Sequence, residues 1–124
     1  MPDIISHHQV LIYQHVSSHL DTLQRHLAVA ARAAPDRPVS PVMALAVSRL
    51  LRSVYRLLSR EPGSRRLPRL NARERPRPAE LAPLLADTRL ALDTFAHTHR
   101  DWRNLLDGSW LTREAFLEAA ADDE

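Results

Sequence analysis

Aliphatic residues recur in this chain at steps of three, four and seven, in three runs separated by clusters of proline. A run with that spacing places its apolar side chains on one side of a helix, and the helix must then bury that side against something. The first run spans roughly residues 4–34 and carries Ile5, Ile12, Val16, Leu20, Leu23, Leu27 and Ala30 on one stripe. The second spans roughly 42–60 with Val47, Leu50, Leu51, Val54, Leu57 and Leu58. The third spans roughly 79–107 with Leu81, Leu84, Leu85, Leu92, Phe95, Trp102 and Leu106. Pro35, Pro38 and Pro41 separate the first two runs, and Pro62, Pro68, Pro76 and Pro78 the last two. Strand-like alternation with hairpin turns is absent from the sequence.

Local signals agree with this division. Ser40 is a good N-cap and Pro41 suits a first helical position. Pro83 is expected to be tolerated because it falls close to the first turn, where amides have no helical partner. Gly108 is placed to stop the third helix. A short fourth helix is expected over roughly 113–121, capped by Thr112, with Glu114 favourably placed against the helix dipole. Trp102 and Trp110, on either side of Gly108, are expected to pin this fourth helix to the bundle.

Amphipathic helices cannot bury their stripes alone. The expected fold is therefore all-α, an antiparallel helical bundle of three main helices and a short C-terminal one, forming a single domain over 1–124 with an Arg/Pro-rich linker at 61–78. The first and third helices are expected to be about 45 Å long and the second about 28 Å, from the rise of 1.5 Å per residue. That mismatch leaves part of the long pair to be covered, either by the fourth helix or by a second copy in a homodimer.

Charge is strongly segregated. Residues 1–48 hold three arginines and three aspartates and are neutral, 49–77 hold ten arginines and two glutamates for +8, and 78–124 hold four arginines and ten acids for −6. Arg49, Arg52, Arg56 and Arg60 share the side of the second helix opposite its leucines. The series continues through Arg65, Arg66, Arg69, Arg73, Arg75 and Arg77 in the linker, which is longer than the usual helix–helix connection, and the first four of these are the favoured contact residues there. This arrangement reads as an anion-binding surface for an acidic protein partner, with nucleic acid as the competing ligand. Against nucleic acid, the linker has no aromatic residue to stack on bases, and Tyr55 is the only ring nearby. The plainer reading is a solvated face neutralised by the chain's own acidic half. A membrane-surface role for the second helix fits less well, since its apolar side lacks Trp and Phe and is needed for the core.

Five of the seven histidines lie on the first helix, and His8, His15, His19 and His26 fall within about 40° of arc along one flank of its stripe. His15 and His19, four residues apart, are able to reach one ion, and His99 on the third helix is a candidate to complete a site for a divalent transition metal. A half-buried position at the edge of a bundle is the plainer explanation of the same residues. Protonation of several histidines on one flank would also make a dimer sensitive to pH near 6.

Much chemistry is excluded by composition. With no cysteine there are no disulfides, iron–sulfur clusters or thiol nucleophiles, and all 17 basic residues are arginine, so there is no lysine for a Schiff base. Two glycines 45 positions apart cannot make a phosphate-binding loop. No H-E-x-x-H, E-x-x-H or G-x-S-x-G pattern occurs. Asp93, His97 and Asp101 repeat every four residues, a weak hint of acid–base chemistry that solvated helices commonly show. No apolar run is long enough to span a membrane and no secretory leader is visible, so the default expectation is a cytoplasmic protein without a cofactor. The leading expectation for function is a non-enzymatic interaction or regulatory module.

Overall fold

The computed structural model describes residues 4–64, 67–70, 75–100, 110–114 and 117–118. Among these residues are three helices packed side by side: α1 (His7–Ala33), α2 (Pro41–Leu57) and α3 (Pro78–His99). The all-α bundle expected from the periodicity is what the chain forms.

Helix α1 begins at a reciprocal cap. The Ser6 side chain accepts from the Gln9 amide, and the Gln9 side chain accepts from the Ser6 amide. Ile5 before the cap and Val10 inside the first turns are both buried, at the two positions where a hydrophobic staple closes over a helix start. Ile5 therefore belongs to the core from outside the helix, and Val10 fills the helical position. Helix α2 starts as the sequence indicates: the Ser40 hydroxyl accepts from the Met43 amide at 3.1 Å and Pro41 is the first helical residue. All six residues of its expected stripe are buried, with Ala44 in addition. In α3, Pro83 stands at the sixth helical position, past the free first-turn amides, and removes one internal hydrogen bond to the Ala79 carbonyl. Both residues are exposed, so water satisfies that carbonyl at little cost.

Tyr13 stacks on Phe95 with ring centroids 5.7 Å apart, and Arg89 donates to the Ser17 hydroxyl at 2.9 Å, so α1 and α3 run antiparallel. Arg89 also pairs with Asp21. The short loop after α1 returns the chain antiparallel into α2. Consequently α2 and α3 point the same way, and the twenty residues between Leu57 and Pro78 must carry the chain back along α2, about 26 Å. The length of the 61–78 linker follows from this crossover. Its described parts dock as they climb: Leu67 and Leu70 pack on the core, the Ser48 hydroxyl donates to the Leu70 carbonyl at 3.5 Å, and the Val39 amide donates to the Pro76 carbonyl at 2.8 Å.

α3 ends at His99, short of the expected Asp107. Arg100 turns to an extended conformation, and the His99 carbonyl accepts from the Leu111 amide at 2.9 Å. A tertiary contact therefore ends the helix. Trp110 packs against Tyr13 (5.0 Å between ring centroids) and Phe95 (6.2 Å), and the Arg100 guanidinium lies 5.2 Å over its indole ring. The chain then runs beside the start of α1. Thr112 pairs with Ile5, the Arg113 amide donates to the Ile5 carbonyl at 2.9 Å, and Glu114 accepts from the His7 amide at 2.8 Å. Of the expected fourth helix, Arg113, Glu114, Leu117 and Glu118 have helical backbone, and the rest of it lies outside the described residues. Trp102, Leu106 and Gly108 also lie outside them.

Candidate functional site

The buried stripe of α2 fixes its opposite side to the outside. Arg49, Arg52 and Arg56 follow one another along that side, and Arg60 continues the row just past the helix end, over about 16 Å in all. All four are exposed. Val42 and Leu45, also exposed, extend the same ridge toward the N-terminus of α2. Arg69 joins from the linker, its guanidinium 4.6 Å above the Tyr55 ring. Arg75, further along the same arginine series, is fixed at the head of α2 by donating to the Val39 carbonyl at 3.1 Å. Arg65, Arg66 and Arg73 lie outside the described residues.

Like charges three and four residues apart oppose a helix by a few tenths of a kcal/mol per pair. The pairs 49/52 and 52/56 are of this kind, and among the described residues no carboxylate answers them. The acids that do make described contacts serve other groups: Asp21 holds Arg89, Glu61 holds His99, and Glu114 caps α1. The Glu114 carboxyl is held below its ordinary value, first by the hydrogen bond from its own amide and then by that from His7. Arg56 and Arg60 also edge an open groove of about 1200 Å³ between the end of α2, the first turn of the linker and α3, with Leu57, Ala91 and Phe95 among its apolar lining.

The histidines divide into two environments. His15 and His19 are neighbours on α1, their ring centroids 6.3 Å apart. His99 is not brought to them. It is buried against Phe95 (4.8 Å between centroids), and its Nε2 lies 2.5 Å from Glu61 Oε1. Among the described residues, no three His, Asp or Glu side chains gather as a metal site would require. Glu61 reaches His99 because it opens a turn, Glu61–Pro62–Gly63–Ser64. Its Ser64 amide donates to the Glu61 carbonyl at 3.2 Å, and Gly63 has a φ of +80°. Pro then Gly is the pair that a type II turn prefers. Of the Asp93, His97 and Asp101 series, the first two are exposed on α3 and the third lies outside the described residues. Among the described residues, no helix is long and apolar enough to cross a membrane.

Comparison with protein-family models, curated proteins and solved structures finds no match to this chain.

Proposed function

We propose that the protein is a non-enzymatic interaction module that binds an acidic protein partner through the arginine ridge of α2 and its extension into the linker. The observation that supports this is the row Arg49, Arg52, Arg56 and Arg60, exposed and without a carboxylate partner among the described residues. A row of unneutralised guanidiniums attracts anions from a distance and loses repulsion when one docks. The exposed Val42 and Leu45 and the apolar-lined groove beside Arg56 suit a folded or amphipathic partner better than a bare polyanion, because they offer side-chain burial as well as charge. The Tyr55 ring is already covered on one face by Arg69, which leaves the arginine block poorly equipped to stack on bases.

The test is fluorescence anisotropy with two probes, an amphipathic acidic peptide and a 20-base-pair duplex, measured against Arg49→Ala/Arg52→Ala/Arg56→Ala. The peptide is expected to bind the more tightly at physiological salt and to lose at least tenfold in the triple variant. Duplex binding that is the tighter of the two, with a steep salt slope, would move the assignment to nucleic acid.

A further inference from the structure

The arginine ridge leaves the histidines of α1 unused. His8, His15 and His26 are exposed and His19 is half-buried; none of the four is hydrogen-bonded among the described residues. At 100° per residue they fill an arc of about 40° that no arginine of α1 enters. His15 and His19 stand one turn apart with ring centroids 6.3 Å from each other, the placement in which two imidazoles from one helix reach a single ion. Within one chain that is half a tetrahedral shell, because His99 is committed to Glu61.

The spacing of the four histidines supplies the other half. They succeed one another at seven, four and seven residues, a series that reads the same in both directions about Ser17. A two-fold axis normal to α1 at that point lays a second α1 antiparallel on the first. It brings His15 and His19 of both copies to one place, with His8 opposite His26 of the second copy at each end. Isologous contacts of this kind are how most homodimers form. Exposed Leu11 and Val29, on the solvent side of the same helix, add apolar area beside the stripe. We infer that α1 carries a half-site for a divalent transition metal, which a second copy of the chain completes as a four-histidine zinc-type centre.

Sedimentation of the untagged protein with and without zinc chloride tests this. Zinc is expected to shift the protein from 14.1 kDa to twice that mass at one zinc per two chains, and EDTA to reverse the shift. His15→Ala and His19→Ala are each expected to abolish it. Circular dichroism would remain helical, since His15 is exposed, His19 is only half-buried and alanine favours helix. Arg52→Ala is expected to dimerise with zinc as the wild type does, which separates this site from the arginine ridge. Zinc that binds one chain alone or fails to bind, or a zinc-induced dimer that survives both histidine substitutions, overturns the inference.

Discussion

Glu61 and His99 are the one described acid–base pair in which both side chains are shielded from water, with 19 % and 4 % of their surface exposed. Glu61→Ala leaves the His99 ring nitrogen buried without its partner, a loss of about 1–3 kcal/mol. Urea unfolding is expected to show that loss in the midpoint with the slope unchanged. The turn that presents Glu61 makes a second prediction: Gly63→Ala meets no steric obstacle but must adopt a positive φ, and is expected to cost about 1 kcal/mol in the same assay. The burial of His99 is legible from its place between Phe95 and Trp102 on the apolar side of the third run. Its partner is not, because the two are 38 residues apart and no helical period relates them. The Pro–Gly pair marks a break, but nothing in the sequence states what the break will point at.

Periodicity and capping chemistry read well where an element's ends are decided locally. Ser40, Pro41 and the whole stripe of α2 are of this kind. They fail where tertiary contact decides. α3 stops because Trp110 and Leu111 capture its last turn, and the start of α1 is sealed by Ile5, Thr112 and Glu114, residues far apart in the chain. This end seal is expected to respond to acid. Glu114 has a folded pKa below its unfolded one, so its contribution is present above the unfolded value and is lost as pH falls through the folded one. Hydrogen exchange of the Arg113 amide, corrected for the intrinsic rate, should show protection falling over that acid range while the middle of α1 stays protected. Glu114→Gln should remove the pH step. An Arg113 amide whose protection tracks the core at every pH would mean that the segment and the bundle open together.

Across the whole molecule the charge division follows the crossover. The chain climbs back beside α2 after its arginine row and then descends through α3, so among the described residues the exposed Arg49, Arg52 and Arg56 lie on one helix and the exposed Glu80, Asp87 and Asp93 on another, with no ion pair between the two sets. The block totals are legible from the sequence, but which of the described arginines go without a carboxylate is not, since that depends on which helices neighbour which. If the arginine ridge is kept for an external anion, it should carry a stability cost in the free protein. Arg52 faces Arg49 and Arg56 on the same side of α2, so Arg52→Ala removes two repulsive pairs and improves helix propensity slightly. The variant is expected to be more stable than the wild type by about 0.5 kcal/mol at low salt. At 1 M salt, where the screening length falls to about 3 Å, the repulsive part of the difference should vanish. Thermal melts of both proteins at 20 mM and 1 M sodium chloride decide the matter. A variant less stable than wild type at low salt would mean that Arg52 has an internal partner, and the ridge would then belong to the fold rather than to a ligand.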